Sequence, residues 1–378
     1  MTAVRGVRAA VLTELARPAP YAESRPLEVR ELDLDPPGPG ELLVRLRATG
    51  LCHSDLSVIN GSRPRPLPMV LGHEAAGQVV EVGPGGSDFA AGDHVVLSFV
   101  PACGSCRRCV AGRPALCEPG AVANRGGTLL SGTSRWLAPD GTRPHHHLGV
   151  SGFAEHAVVS AASAIRVDDD LPFEIAALFG CAVLTGAGAA FYSARVVPGE
   201  SVAVFGLGGV GLAALLAARA AGAAAIVAVD VVEHKRALAV ELGATHSVPG
   251  GPDAVEAVRE LTGGGADKVI DTTGSEKVLA QAYAATTTGG TTVTVGLPHP
   301  DRQLVLPALS LVAEERTLRG SYLGSSVPRR DVPRFVDLYR AGRLPVDRLL
   351  SGRLTLDEVN TGFDQLASGD AIRQVVLL

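Results

Sequence analysis

The segment Gly206-Leu207-Gly208-Gly209-Val210-Gly211 constrains the fold of this chain more than any other. An apolar run, Ser201 to Phe205, precedes it. An Ala/Leu-rich stretch from Gly211 to Ala221 follows, and a second apolar run, Ala225 to Asp230, ends on a carboxylate. Strand, glycine turn, helix and parallel strand within about 30 residues make the unit that cradles a dinucleotide. Gly206 permits the tight turn and Gly208 admits a pyrophosphate to the backbone. Gly211, after Gly209 and Val210, lets the helix pack on the strand. The helix N-terminus then offers free N–H donors to phosphate. Asp230 suits the ribose hydroxyls of NAD and repels the 2′-phosphate of NADP.

The alternation continues through Glu233 to Leu242, Lys268 to Asp271, Val278 to Ala285 and Thr291 to Val295, which predicts a doubly wound parallel sheet in an α/β chain. Before about Gly180 the texture differs. Short Val/Leu runs (Leu42 to Leu46, Gly77 to Val82, His94 to Phe99, His156 to Val159) are separated by Pro and Gly, the pattern of strands and turns. The tail reads as a helix from Val332 to Arg340, a strand near Leu354, a helix from Leu356 to Ala367 and a strand at Val375 to Leu378. Glu118 to Pro144 is polar, Gly-rich and aperiodic, so a long loop is expected there.

With 46% hydrophobic and 19% charged residues among 378, the chain has material for a large core and none of the signature of disorder. A net charge of -5 without runs of like sign gives no footprint for nucleic acid or an anionic membrane. Ile175 to Ala194 and Val202 to Ala218 lack charge, but glycines interrupt both, and they read as buried elements rather than membrane spans. Met1 to Leu12 has no apolar secretion core, so a cytoplasmic location is expected.

Four of the six cysteines fall in Cys103-x2-Cys106-x2-Cys109-x7-Cys117. Four thiolates on one short loop suit a closed tetrahedral zinc site, structural in role, with Arg107, Arg108 and Arg113 near enough in sequence to offset its charge. The other two, Cys52 and Cys181, together with His73, can balance a Zn2+ charge with two thiolates and one neutral imidazole, leaving a fourth position open. The run His145-His146-His147 is read as a loop wall or chance rather than a metal tract.

Cys52-His53-Ser54-Asp55, Gly72-His73-Glu74, the four-cysteine lobe, Gly180-Cys181, Gly206 to Gly211 and Asp230 occur in the order found in zinc-dependent medium-chain alcohol dehydrogenases, which the chain resembles along nearly its whole length. The resemblance implies a GroES-like, mainly β catalytic domain (1–184 and 325–378, with the zinc lobe at 101–118) and an inserted Rossmann NAD-binding domain (185–324). The Glu118 to Pro144 segment resembles the insertion of a longer-chain, usually dimeric branch. It further implies two zinc ions per chain, NAD, a small-molecule alcohol or aldehyde and a homodimer. Cys52, His73 and Cys181 would hold the catalytic zinc, with Ser54 taking the alcohol proton, Asp55 orienting His73 and Glu74 behind the ion. His53 and Arg373 match pyrophosphate contacts, Lys235 an adenosine-ribose contact and Thr185 a nicotinamide neighbour. Ser57 stands where many relatives carry a proton-accepting histidine, so the proton must leave through His53, water or another route.

By the same matching, Phe99, His147, Leu148 and Leu297 line the substrate pocket, and their apolar character favours a primary alcohol: benzylic, allylic or medium-chain. A thiol-adduct-linked formaldehyde dehydrogenase is the alternative, although Ser62, Arg63, Arg65 and Ala121 stand where glutathione-using relatives carry other residues. From another class, a catalytically silent NAD-binding redox sensor would not need the ligand set and Ser54 intact.

Overall fold

The computed structural model describes residues 3–378. Its strands, in chain order, begin with β1 (Val4–Leu12), β2 (Leu27–Leu34), β3 (Glu41–Gly50), β4 (Met69–Val70), β5 (Ala75–Val82) and β6 (His94–Leu97). There follow β7 (Trp136–Leu137), β8 (His145–His146), β9 (His156–Ser160) and β10 (Ala164–Val167). The next six are β11 (Ser201–Phe205), β12 (Ala225–Asp230), β13 (His246–Pro249), β14 (Ala266–Asp271), β15 (Thr286–Thr294) and β16 (Thr317–Gly320). The last two are β17 (Leu350–Leu354) and β18 (Arg373–Leu377).

Two compact units result. One comprises the chain up to Cys181 with Val327–Arg334 and Leu350–Leu378; the other is Ala182–Ser326 with Phe335–Leu349. The expected boundaries at 184/185 and 324/325 lie within a few residues of these. The expectation of an uninterrupted C-terminal return is corrected, because residues 335–349 stay with the second unit. Phe335 packs at 5.8 Å from Phe191 and stacks on Tyr192, and the Arg343 guanidinium donates to the Ala220 carbonyl.

In the first unit, β10-β6-β5-β3-β18-β17 form one sheet, with β9 also paired to β3; β7-β2-β1-β4-β8 form another. The terminal strand is stitched into the first sheet between β3 and β17, Val375 opposite Gly50 and Leu377 opposite Ala48. Alternating apolar residues close the cores, for example Leu42, Val44 and Leu46 of β3 against Val95 and Leu97 of β6. The alternate residue Leu43 enters a second core with Val7, Leu32 and Val158, so β3 is covered on both faces along its first half.

The second unit holds a parallel sheet in the order β13-β12-β11-β14-β15-β16, the doubly wound arrangement with its switch point at β11 and β14. The helix Gly209–Ala220 buries every residue from Gly211 to Ala218, so its apolar character all round marks a core helix. No helix among the described residues is long and apolar enough to cross a membrane.

One expectation fails outright. The Glu118 to Pro144 segment is not a loop throughout, since it contains the helix Glu118–Gly126 and the strand β7. The Cys117 sulfur caps that helix by accepting from the Gly120 N–H, Pro119 sits in its first turn, and Gly127 ends it in the left-handed conformation. The helix is short and mostly polar, so hydrophobic periodicity carries little trace of it.

Candidate metal centres and cofactor loop

Cys52 closes the link between β3 and the helix His53–Ile59, where it is the N-terminal capping residue. His73 follows Gly72, whose φ of +88° and tight contact with the next loop suit only glycine: a Cβ there would lie 2.5 Å from the Phe153 nitrogen. Cys181 follows the helix Phe173–Leu178. These three side chains, distant in sequence, bring their ligand atoms within 4.8 Å of one another, and all three are buried.

The chemistry of the donor set fits a divalent cation. His73 Nδ1 stands 3.0 Å from Asp55 Oδ1, so the imidazole donates to the carboxylate, leaving Nε2 buried and without a hydrogen-bond partner. Cys181 hydrogen-bonds Cys52, which carries the Cys52 thiol well below its ordinary range and Cys181 well above its own. Burial works against a charged His73, but Asp55 and the Cys52 thiolate outweigh it and push the imidazole up. Negative charge in excess of its partners, gathered in a buried corner with two sulfurs and an imidazole, is what Zn2+ neutralises.

Behind the ligands, Glu74 is fully buried and ion-paired with Arg373, the first residue of β18. Burial pushes the Glu74 carboxyl up and Arg373 pulls it only part of the way back. The Arg373 guanidinium, expected at a cofactor phosphate, is therefore held at Glu74, with its Nε 3.1 Å from Oε1. Ser54 lies half-buried on the first turn after Cys52, and His53 is exposed. The Ser57 hydroxyl is committed to the His53 carbonyl at 2.8 Å.

Phe99 meets the His73 ring edge-on at 5.5 Å, and Leu148 is buried with a φ of +49°. His147, expected on the pocket wall, packs against the side chains of His73 and Asp55. It is 1% exposed, its ring meets His73 at 5.6 Å, and its Nδ1 lies 3.0 Å from Asp55 Oδ1. Leu297 belongs to the second unit and is half-exposed. The contact of His147 with Asp55 has no signal in spacing; the run of three histidines and the pocket matching point at the segment, but not at this partner.

In the lobe, the sulfurs of Cys103, Cys106, Cys109 and Cys117 lie within 4.8 Å of one another, those of Cys106 and Cys117 at 4.0 Å. Zn–S bonds of about 2.3 Å on a tetrahedron place sulfurs about 3.8 Å apart, which that spacing approaches. Backbone N–H groups already point at the sulfurs, Cys103 to Cys117 at 3.2 Å and Cys106 to Cys103 at 3.3 Å. Burial opposes ionisation of Cys103, but the N–H groups of Cys106 and Ser105 and the Ser105 hydroxyl outweigh it and bring the thiol down to about 6. Burial and neighbouring sulfurs push Cys109 up to about 12. Arg108 pairs with Glu118 at 3.6 Å, so part of the expected cationic offset is spent there.

In the second unit, Gly206 turns at φ +88° after β11, and a Cβ on Gly211 would fall 1.8 Å from the Gly206 carbonyl oxygen. The helix starts at Gly209, two residues earlier than expected, with Gly208 as its cap and open space beside it. Asp230 accepts from Leu207 N–H at 2.6 Å and Val232 N–H at 2.9 Å, which pins the acidic end of β12 to the glycine turn. Arg236 donates to the Asp230 carbonyl at 2.8 Å. Lys235 is buried on the helix Glu233–Glu241, and Thr185 is half-buried on Ala182–Gly188.

A mainly β unit with a buried Cys2His cation site, joined to a doubly wound sheet with a glycine-rich turn, defines the class of zinc-binding dehydrogenases. Residues 38–169 match the alcohol dehydrogenase GroES-like domain and residues 209–341 the zinc-binding dehydrogenase domain. The chain is 41% identical to an NDMA-dependent alcohol dehydrogenase of Amycolatopsis methanolica, over 94% of this chain and 97% of that one. It is also 41% identical to geraniol dehydrogenase of Castellaniella defragrans, over 93% and 94%. The crystal structure of benzyl alcohol dehydrogenase from Acinetobacter calcoaceticus superposes with a TM-score of 0.92 at 33% identity, covering 100% of both chains. The chain belongs to the zinc-dependent medium-chain alcohol dehydrogenase family and is an oxidoreductase of the alcohol dehydrogenase type.

Proposed function

We propose that this enzyme oxidises a primary alcohol with an apolar body, benzylic, allylic or medium-chain, reversibly to the aldehyde with NAD as hydride acceptor. The observation that carries the reading is the convergence of Cys52, His73 and Cys181 on one buried point with His73 Nδ1 already tied to Asp55. Those three residues would hold a catalytic zinc and the four-cysteine lobe a second, structural one. When bound, the catalytic ion supplies Lewis-acid polarisation of the alcohol oxygen and NAD supplies the hydride acceptor. Ser54 receives the alcohol proton, Phe99 and Leu148 exclude water from the apolar part of the substrate, and Glu74 with Arg373 backs the ligands. Relatives named for geraniol and for benzyl alcohol support the substrate class.

Asp230 supports NAD over NADP, and Arg236, the nearest candidate for a 2′-phosphate, is engaged by the Asp230 carbonyl. Exposed Val305, Leu309 and Val312, close in sequence to the sheet-edge strand β16, support a homodimer. Six unpaired cysteines suit a reducing compartment, and the cytoplasm is the proposed location. Absorbance at 340 nm with aliphatic and benzylic alcohols tests the reading. NADH should form from NAD+, with a much lower kcat/KM for NADP+. Comparable values for the two cofactors refute the role of Asp230, and no turnover with any alcohol refutes the substrate class.

A further inference from the structure

Asp55 is fully buried, and only one of its oxygens is used. Onto Oδ1 converge the Gly72 N–H at 3.2 Å and His73 Nδ1 at 3.0 Å as hydrogen bonds, and His147 Nδ1 stands 3.0 Å away in a polar contact whose alignment falls short of a hydrogen bond, while Oδ2 is buried without a partner. The carboxylate's orientation is therefore set by what reaches Oδ1. A carboxylate free to turn about its Cβ–Cγ bond would carry the His73 ring with it, and the ring's other nitrogen is the one that faces the two sulfurs.

His147 is held rigidly enough to fix that orientation. Its N–H donates to Ser151 Oγ at 3.1 Å, and its carbonyl accepts from Val150 and Ser151 at 3.0 and 3.1 Å. Phe99 provides a comparison within the same site. Phe99 and His147 both meet the His73 ring at an interplanar angle of 88°, with centroids 5.5 and 5.6 Å away. The two rings do the same packing, but only His147 adds a nitrogen at the carboxylate.

We propose that His147 is a positioning residue of the metal centre, gripping Asp55 alongside His73 so that the His73 Nε2 stays aimed at the ion. The proposal rests on the reading that Cys52, His73 and Cys181 hold that ion. Partners that orient a metal-binding histidine are commonly worth 10–100-fold in metal affinity or activity, and His147 acts one bond further out.

The test is zinc release to a chelator, followed with a chromogenic zinc indicator on the purified enzyme. His147→Phe keeps the ring and removes the donor, whereas His147→Asn places an amide N–H near the Nδ1 position. H147F should lose one zinc per chain about tenfold faster than wild type, H147N should stay near the wild-type rate, and the lobe zinc should be unaffected in both. The visible spectrum of the cobalt-substituted site should change in H147F and not in H147N. Equal release from H147F and wild type overturns the proposal, and so does H147N releasing as fast as H147F, which would make the effect one of packing. A wild-type enzyme that holds only the lobe zinc instead overturns the underlying metal-site reading, and the proposal with it. Should H147F not fold, 15N-histidine spectra of the wild-type enzyme decide: the Nδ1–H tautomer of His147 supports the proposal, and the Nε2–H tautomer overturns it.

Discussion

Removing the Arg373 guanidinium should destabilise the enzyme by an amount that depends on pH, and the structure sets the size. Glu74 and Arg373 are 0% and 5% exposed, and each is the other's principal opposite charge. Breaking a buried ion pair by deleting one partner costs about 3–5 kcal/mol, because the remaining charge is left unpaired. In Arg373→Met the stranded carboxylate has an escape, which is to take up a proton. Starting from an ordinary carboxyl value of 4.5, protonation at pH 7 spans 2.5 pH units and costs about 3.4 kcal/mol at 1.36 kcal/mol per unit. That caps the charge penalty. At pH 5 the same cap is only about 0.7 kcal/mol.

The sign follows from linkage. Once Arg373 is gone, the folded-state pKa of Glu74 lies further above its unfolded value. The acidic form then favours folding at low pH, and this contribution is lost as pH rises through the folded-state pKa. Denaturant unfolding at both pH values, each variant measured against wild type at the same pH, reads the difference. R373M should lose about 3 kcal/mol at pH 7 and less than about 1 kcal/mol from this source at pH 5. The double variant Glu74→Gln/Arg373→Met, which has no carboxyl group to strand, should show no such pH dependence. An R373M deficit equal at pH 5 and pH 7 would refute the reasoning, since a lost packing contact does not titrate.

Two further outcomes follow from the lobe and from a buried histidine in the first unit. Cys106→Ser should remove one zinc per chain, lower the denaturation midpoint and leave the Cys52, His73, Cys181 site loaded; metal analysis showing an unchanged zinc content would count against the lobe. Burial, with help from Arg135 and His145, pushes His146 down to about 3, so the neutral ring stabilises the fold fully above about pH 6.5 and the contribution is lost as pH falls toward 3, at a slope of up to about 1.4 kcal/mol per pH unit. His146→Gln should flatten the curve of unfolding free energy against pH between about 6.5 and 4, and superimposable curves for variant and wild type would exclude the linkage.

How much of this molecule was legible beforehand depended on the range of the interactions that shape each part. The first βαβ unit is legible almost to the residue, with β11 and β12 ending at Phe205 and Asp230, because each of its elements is a local sequence pattern, whereas β13, β16 and the helix Ala254–Leu261 carry no comparable pattern and β15 begins five residues before its apolar run. The four-cysteine lobe was legible for the same reason, its ligands lying within fifteen positions. Cys52, His73 and Cys181 could be grouped by charge balance and by resemblance, but nothing in the spacing brings them together. The convergence comes from β3, the Gly72 turn and the helix before Cys181 meeting in space. The helix Glu118–Gly126 escaped because its signals are a sulfur cap and a terminal glycine, which pattern reading weights least. The second grip on Asp55 escaped for a deeper reason. His147 reaches that carboxylate only because the loop through Ser151 folds back on its backbone, so its role is fixed by three hydrogen bonds that no linear motif records. Arg373 adds a contact that motif matching does not name: the pairing of β18 with β3 sets its guanidinium against Glu74. A residue that acts through another side chain is thus the kind a sequence hides unless a motif already names it, as the block after Cys52 names Asp55 and nothing names the contact of His147 with it.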